Sequence, residues 1–291
     1  MEKFELNLDS ISKFGKSFFW AGFFLPSKNK NNAFKLYSVC RYFDDLADDE
    51  SQDNSKDIQR AFDHIYNDKE NSINIFFKSN NISLTILEDL VKGLIYDQGS
   101  FVIENEEDLI TYSYRVAGTV GLMMMPILGV NSSDAKKNAI DLGIAMQLTN
   151  IARDIYEDAM MGRIYLPKSW IKNITIEDLV NKDLSIQKNQ VVMDALEKLI
   201  NLAEVFYQNG FNGLKFIPLK TRFSIFIASK IYKGISDKIK KQKFVYNQKR
   251  IFLNVMEKLL ITVLAIPKFF TITSKSNRYQ DIRKKFSHEN L

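Results

Sequence analysis

Apolar residues recur at steps of three and four along most of the chain, the spacing that places side chains on one face of an α-helix. This period predicts helices over residues 32–47, 83–97, 106–117, 132–160, 189–208, 219–241 and 249–265. The strict alternation of polar and apolar residues that marks a strand is not evident in the sequence. The pattern therefore predicts an all-α protein built as one large helical bundle.

Several predicted helix ends carry residues that satisfy free backbone groups. Ser83 is the expected N-cap of its helix, and the acidic run at 106–108 suits the positive end of the next helix dipole. Ser132-Ser133-Asp134 is expected to cap the long helix that follows. Gly162 stands just past the end of that helix, where a left-handed backbone conformation is common.

Composition favours a single folded unit. The chain has 291 residues, of which 45% are hydrophobic, with 12 Gly and 5 Pro. Because no Ser/Gly-rich or Pro-rich linker divides the sequence, residues 1–291 are predicted to form one domain. A basic carboxy-terminal tail is predicted at about residues 275–291.

The residue types exclude several kinds of chemistry. Cys40 is the single cysteine, so no intramolecular disulfide can form and a cytoplasmic location is expected. We interpret Cys40 as a small core residue. The two histidines, His64 and His288, stand in polar surroundings and leave little for a catalytic triad or a zinc site. The amino-terminal MEKFELNLDS lacks the basic head and apolar core of a signal peptide.

Charge and hydropathy raise the question of a membrane surface. The apolar runs at 18–26 and 259–267 have about half the ~20 residues that a membrane-spanning helix needs. Net charge is +5, with much of the excess at 238–243 and 281–286. A solvated basic tail is the favoured interpretation, and peripheral attraction to anionic lipid at the inner face of the membrane is the alternative. Likewise, 259–270 is expected to be a core helix. Without a nucleic-acid motif, no nucleic-acid partner is expected.

Two acidic stretches about a hundred residues apart are the candidate chemistry: RYFDDLADD at 41–49 and NIARDIYEDAMMGR at 150–163. Helical spacing aligns Asp44 with Asp48, and it aligns Asn150 with Asp154 and Asp158. Like charges at this spacing destabilise a helix by a few tenths of a kcal/mol for each pair. Either water and salt at a solvated helix face offset this repulsion, or a divalent cation does.

Arginines accompany both stretches. Arg41 precedes the first, while Arg153 and Arg163 flank the second. Mg²⁺ prefers oxygen ligands and commonly takes one or two carboxylates together with substrate phosphate oxygens. Arginine can bind the remaining phosphate oxygens in a bidentate manner. Two facing carboxylate helices in a bundle would thus hold a diphosphate, whereas no Gly-rich phosphate loop is present in the sequence.

These stretches resemble motifs of the squalene/phytoene synthase family, and within it the bacterial phytoene synthases. LYSVCRYFDDLADD resembles the first aspartate-rich motif, and QLTNIARDIYEDAMMGRIYLP resembles the second. YSYRVAGTVGLMM, SFFWAGFFLP and IYKGISDKIK also resemble family segments, in the family's order. The resemblance covers a core of about residues 12–253.

The resemblance implies an isoprenoid-synthase bundle with a central cavity in which two prenyl diphosphates bind. It implies Mg²⁺, or Mn²⁺ in its place, and no NADPH. The metal ligands that it implies are Asp44, Asp48, Asn150, Asp154 and Asp158, with Tyr37 and Arg41 as further catalytic residues. The substrate-binding residues that it implies are Lys16, Ser17, Phe18, Arg41, Gln147, Asn150, Arg153, Tyr232 and Arg250.

The implied reaction is the head-to-head condensation of two geranylgeranyl diphosphates, through prephytoene diphosphate, to 15-cis-phytoene. Gly22 replaces a bulky aromatic residue of certain relatives that use a C15 substrate, so a longer tunnel and a C20 substrate are expected. Phe14 and Gly15 depart from the family pattern and put the phosphate role of this segment in doubt. Two alternatives stay open: a relative that uses farnesyl diphosphate to make presqualene diphosphate, dehydrosqualene or squalene, and a non-catalytic assembly factor.

Overall fold

A computed structural model describes residues 15–48, 53–98, 102–181, 184–246 and 250–270. Its α-helices, in chain order, are α1 Lys16–Gly22, α2 Ser27–Ala47, α3 Ser55–Asn67, α4 Ser72–Ser79, α5 Leu84–Tyr96, α6 Glu106–Ser113, α7 Thr119–Leu128, α8 Ala135–Met160, α9 Ile176–Val180, α10 Ile186–Asn212, α11 Leu219–Lys241 and α12 Val255–Phe270. No strand occurs within these ranges, which confirms the predicted fold class. The basic tail at 275–291 and Phe14 lie outside the described residues.

The predicted helix over 106–117 is interrupted in the structure. A π-helical turn, Tyr114–Gly118, separates α6 from α7. The backbone here lies directly against α8: a Cβ added at Gly143 would stand 2.3 Å from the carbonyl oxygen of Ala117. On the same interface, a Cβ added at Gly121 would stand 2.2 Å from the carbonyl oxygen of Ala139. Glycine at both positions therefore permits the close approach that brings this segment beside α8.

Helix ends agree with the sequence in most places. The hydroxyl of Ser83 accepts a hydrogen bond from the backbone N–H of Thr85 at 3.2 Å, as expected for an N-cap. Gly162 adopts a left-handed conformation with φ of 76°. The predicted cap of α8 is wrong in one respect: Asp134 holds the N-cap position with helical dihedral angles and makes no side-chain cap hydrogen bond. Residues 133 and 134 form a turn instead, in which the backbone N–H groups of Ala135 and Lys136 donate to the carbonyls of Ser132 and Ser133.

Helix α8 is the central element of the bundle. It packs against α7, α10, α11 and the π-helical turn, and it buries apolar side chains along most of its length. A hydroxyl cluster fixes two of these neighbours, because the Thr149 hydroxyl lies 3.0 Å from the hydroxyls of Tyr207 on α10 and Ser236 on α11. All three residues are buried. The helix that carries the second acidic stretch is thus held from several sides.

The expectation of a core helix over 259–270 is wrong. Helix α12 packs on α11 with one face only, and several of its large apolar side chains are exposed to solvent. Among the helices that the structure describes, none combines the length and the hydrophobicity of a membrane span.

Candidate active site

A cavity of about 330 Å³ lies between α1, α2, α7, α8, α10 and α11. It follows α2 from Ala33 to Asp44 and α8 from Ala135 to Asn150, or about 16 Å and 22 Å at 1.5 Å per residue. Most of its wall is apolar. Polar side chains gather where the two helices carry the acidic stretches: Tyr37, Asp44, Gln147 and Asn150. The cavity therefore suits a molecule with a charged head and a hydrocarbon tail.

The first acidic stretch ends α2. Burial raises the pKa of Asp44 to about 7; the nearby charge of Arg41 opposes this rise, and that of Asp48 adds to it. Arg41 forms an ion pair with Asp45 and lies 3.7 Å from Asp48. Arg41 therefore contacts both Asp45 and Asp48, and Asp48 is one of the predicted metal ligands.

The second stretch lies on the last turns of α8. Asn150 donates to the side-chain oxygen of Gln147 at 3.2 Å, while its own carbonyl oxygen Oδ1 is buried with no hydrogen-bond partner among the described residues. Asp154 accepts from Nε of Arg153 at 2.8 Å and pairs with Nε of Arg250 at 2.8 Å. Arg250, which precedes α12 in the chain, thus contacts the same carboxylate as Arg153.

Asp158, one turn further along α8, is the other crowded acid of this stretch. Burial, followed by the charges of Asp154 and Asp97, raises the pKa of Asp158 to about 8. A cation close to such a carboxyl group would favour its charged form and lower its pKa.

Asp97, which the sequence did not single out, connects the two stretches. It is buried at the end of α5, and its Oδ2 accepts hydrogen bonds from the hydroxyls of Tyr165 at 2.7 Å and Tyr112 at 3.3 Å. Arg163 lies 3.8 Å from Asp97 and 3.2 Å from Asp48. The charge of Asp97 raises the pKa of both Asp44 and Asp158. The two acidic stretches therefore meet around Asp97 and Arg163.

Aromatic residues pack helix α1 against the polar end of the cavity. The rings of Phe18 and Tyr232 lie 5.1 Å apart, and the Tyr232 hydroxyl interacts with Arg153. Burial raises the pKa of Tyr37 to about 12, with Arg41 opposing this rise and Tyr232 adding to it. Phe18, Tyr37 and Tyr232 thus stand beside the arginines and acids that the sequence predicts.

The predicted phosphate-binding residues of α1 are Lys16 and Ser17. Lys16 is exposed and Ser17 is half-buried. Burial lowers the pKa of Lys258 on α12, and the charge of Lys16 lowers it further, so the two ammonium groups are neighbours. The phosphate role of Lys16 and Ser17 stays a prediction.

Gly22 lines the cavity without lengthening it. A Cβ added there would stand 2.7 Å from Cε1 of Phe34, because the phenyl ring already occupies that space. The expectation that this glycine opens a longer tunnel is therefore wrong for this arrangement of the wall.

Cys40, interpreted as a core residue, also lines the cavity. Met124, Met125 and Met146 line it as well, and their flexible side chains allow the volume to adapt.

The acids fit a divalent cation that a substrate helps to bind. Within the described ranges, no group of three or more His, Cys, Asp or Glu side chains forms a ready-made metal site. Mg²⁺ does not require one, since one or two carboxylates plus phosphate oxygens suffice. The buried Oδ1 atoms of Asn150 and Asp97 lack hydrogen-bond partners among the described residues, and the pKa values of Asp44 and Asp158 are raised. These groups suit a cation-binding role.

Sequence comparison places the chain among known enzymes. The family model described as "Squalene/phytoene synthase" matches residues 11–257. The "15-cis-phytoene synthase" of Enterobacter agglomerans is 30% identical, over 91% of this chain and 94% of its own length. The "4,4'-diapophytoene synthase" of Staphylococcus haemolyticus is 30% identical over 80% of this chain and 86% of its own length.

Comparison with solved structures gives the same picture. The crystal structure of a dehydrosqualene synthase in complex with ligand has a TM-score of 0.78 and 28% sequence identity. The superposition covers 91% of this chain and 95% of that one. This likeness confirms the predicted isoprenoid-synthase fold.

The raised pKa values of Asp44 and Asp158 predict a stability that depends on pH. In the unfolded chain the pKa of both carboxyls has its ordinary value near 3.8. Because the folded protein binds these protons more tightly, folding is favoured at low pH, and this advantage is lost as pH rises through 7 and 8. We therefore expect the thermal midpoint in a chelator to fall as pH rises across the neutral range, and Asp158→Asn to weaken that dependence.

Differential scanning fluorimetry over a pH series measures this effect. Glu197→Gln, at an exposed carboxyl on α10, is the matched control and should follow the wild type. Identical pH profiles for Asp158→Asn and the wild type would contradict the placement of this carboxyl in a crowded site.

Asp97→Asn should weaken the binding of inorganic pyrophosphate in the presence of Mg²⁺. The amide keeps the size of the side chain but removes the charge that pairs with Arg163, which also contacts Asp48. We expect an increase of about tenfold in Kd, or about 1.4 kcal/mol, by isothermal titration calorimetry. Asp89→Asn is the control, because Asp89 on the same helix accepts from Tyr114 outside this cluster. Equal affinities for the two variants would show that Asp97 does not position the site.

Proposed function

The chain belongs to the squalene/phytoene synthase family, and we propose that it joins two molecules of geranylgeranyl diphosphate head to head to make 15-cis-phytoene. Its similarity to the Enterobacter agglomerans 15-cis-phytoene synthase, over nearly the full length of both chains, supports this choice within the family.

One observation carries the proposal: a mainly apolar cavity runs into a polar end formed by both acidic stretches. Asp44 and Asn150 line the cavity itself, and Asp154 lies one helical turn beyond Asn150. A prenyl diphosphate has the matching division between a hydrocarbon chain and a charged head. A diphosphate bound between α2 and α8 would place its tail along the cavity.

The residues at the polar end have distinct tasks in this proposal. Asp44, Asp48, Asn150, Asp154 and Asp158 would hold Mg²⁺, or Mn²⁺, which supplies positive charge that stabilises the departing diphosphate when it is bound. Before substrate binds, arginines neutralise part of this acidic cluster: Arg153 and Arg250 contact Asp154. When a diphosphate enters, the same guanidinium groups can turn to its oxygens as bidentate donors.

The remaining chemistry needs a shaped, dry wall rather than a strong base. The carbon–oxygen bond of the first substrate breaks and its electron pair leaves with the diphosphate. The double bond of the second substrate captures the allylic cation, and loss of a proton closes the cyclopropane of prephytoene diphosphate. A second ionisation, rearrangement and proton loss give the polyene, so the sequence of steps consumes no reductant.

The cavity wall supports these cations in two ways. Its apolar side chains exclude water, which would otherwise capture an allylic cation. The neighbouring rings of Phe18 and Tyr232 offer π faces close to the polar end. Because burial holds the pKa of Tyr37 near 12, its phenol stays neutral and can donate a hydrogen bond to the diphosphate.

The second candidate is condensation of farnesyl diphosphate to a C30 product. The Staphylococcus haemolyticus 4,4'-diapophytoene synthase and the solved dehydrosqualene synthase are similar to this chain to nearly the same degree as the phytoene synthases. The position of Phe34 beside Gly22 also favours a shorter substrate. A non-catalytic assembly role is the least consistent with a chain that keeps both acidic stretches.

Product analysis distinguishes these functions. Purified protein is incubated with geranylgeranyl or farnesyl diphosphate and Mg²⁺, with and without NADPH, and products are identified by chromatography and mass spectrometry. We expect a C40 hydrocarbon from the first substrate without NADPH, its loss in EDTA and its recovery with added Mg²⁺. A C30 product from farnesyl diphosphate alone would favour the second candidate, and no product from either substrate would contradict both.

Asp154→Asn extends this experiment to the site. Removing one carboxylate charge should lower kcat by on the order of a hundredfold, or about 2.7 kcal/mol in activation free energy. Asp194→Asn, an exposed acid on α10 that accepts from Gln190, is the control and should keep wild-type turnover.

A further inference from the structure

Helix α12 has its polarity reversed with respect to an ordinary surface helix. A helix packed against a protein in water buries its large apolar residues and exposes its polar ones. On α12 the buried residues are Lys258, Thr262 and Ala265. Ile261 and Phe269 are half-buried. Eight of its large apolar residues, 45% to 79% exposed, form what we call the outer face of α12: Val255, Met256, Leu259, Leu260, Val263, Leu264, Ile266 and Phe270.

Specific contacts fix this orientation. Trp20 of α1 donates a hydrogen bond from Nε1 to the hydroxyl of Thr262 at 3.1 Å, and that hydroxyl donates to the carbonyl of Lys258 at 2.8 Å. A Cβ added at Gly234 of α11 would lie 2.7 Å from Cδ1 of Ile261, so the two helices are closely packed. Rotation of α12 to bury its outer face would break these contacts.

Aromatic packing holds the end of the helix in the same orientation. The ring of Phe269 lies 5.2 Å from that of Phe223, which in turn lies 5.2 Å from that of Phe24. Phe252, just before α12, adds a 66% exposed ring at the other end. The outer face thus extends over the whole helix, about 24 Å at 1.5 Å per residue. Isolated exposed apolar residues need no explanation, whereas a continuous face of this length marks an interaction surface.

We infer that the outer face of α12 binds the surface of an anionic lipid bilayer, with the helix lying in the plane of the interface. Such helices combine an apolar face with basic neighbours. The preceding helix α11 ends in Lys238, Lys240 and Lys241, of which Lys238 pairs with Glu257 of α12 at 2.7 Å and Lys240 lies 3.8 Å from Glu204. The sequence after α12 continues with five Lys and Arg against two Asp and Glu, at Lys275, Arg278, Asp281, Arg283, Lys284, Lys285 and Glu289.

The charge also selects lipid over a second copy of the chain. Two copies joined through this face would bring their basic groups together, and like charges at an interface oppose association. Anionic headgroups attract the same groups. A bilayer therefore suits both the apolar residues of the outer face and the positive charge that precedes and follows α12 along the sequence.

This binding would place the cavity next to the bilayer. Helix α12 contacts α1 through Trp20 and Thr262 and packs along α11, and both neighbours contribute to the cavity wall. For the proposed function, this arrangement shortens the path of a hydrocarbon chain between membrane and cavity. The binding itself does not depend on that function.

Vesicle co-sedimentation of the full chain tests the inference. The vesicles contain phosphatidylcholine alone, or phosphatidylcholine and phosphatidylglycerol in equal parts, at low and high salt. We expect the wild type to sediment with the anionic vesicles, and Leu260→Glu/Leu264→Glu to reduce the bound fraction at least tenfold. Ile186→Glu, at an 89% exposed apolar residue on α10, is the matched control and should bind like the wild type.

Two further measurements keep the outcomes distinct. Circular dichroism melts should be unchanged in the variants; a large loss of thermal stability in Leu260→Glu/Leu264→Glu would show instead that another part of the chain covers this face. Sedimentation velocity without lipid should show a monomer. A dimer abolished by the same double substitution, without vesicle binding, would overturn the inference in favour of self-association. Vesicle binding unaffected by that substitution would overturn it as well.

Discussion

The mutual repulsion of buried acids from three helices is the constraint on which this site depends. The charge of Asp97, which follows α5, raises the pKa of both Asp44 on α2 and Asp158 on α8. Arg163 bridges Asp97 and Asp48, and the hydroxyls of Tyr112 and Tyr165 bind the same carboxylate oxygen of Asp97. Without a cation the cluster is only partly neutralised. The affinity that we propose for a metal-bound diphosphate and the destabilising effect of these charges on the free protein therefore have one physical origin.

The scaffold around the cluster must be rigid enough to hold these charges in place. Helix α8 supplies that rigidity, because apolar packing and the hydroxyl cluster of Thr149, Tyr207 and Ser236 fix it against α10 and α11. The close approach of Ala117 to Gly143 brings the π-helical turn against the same helix. The cavity follows α8 over the turns before its acidic end. One helix thus links the apolar cavity to the acidic cluster.

Local features were predictable from the sequence, and features that depend on packing were not. The helical period and the four-residue spacing of the acids predicted α2 and α8 and the rows they carry, because both are properties of a single helix. Asp97 could not be predicted in this way, since its role arises only where the end of α5 meets the other two helices. Phe34 beside Gly22 and the reversed polarity of α12 likewise depend on how helices pack. A lone acid at the end of the apolar helix 84–96 was the one available signal for Asp97.

A double-mutant cycle on Asp48 and Asp154 tests most directly whether the two acidic stretches act as one site. The rate of diphosphate release from the prenyl substrate is measured for the wild type, Asp48→Asn, Asp154→Asn and the double variant at saturating Mg²⁺. If both carboxylates serve one metal-bound diphosphate, their effects are coupled, and the double variant is slowed relative to the wild type by much less than the product of the two single effects. Strictly multiplicative losses would show that the stretches act independently and would contradict a shared site.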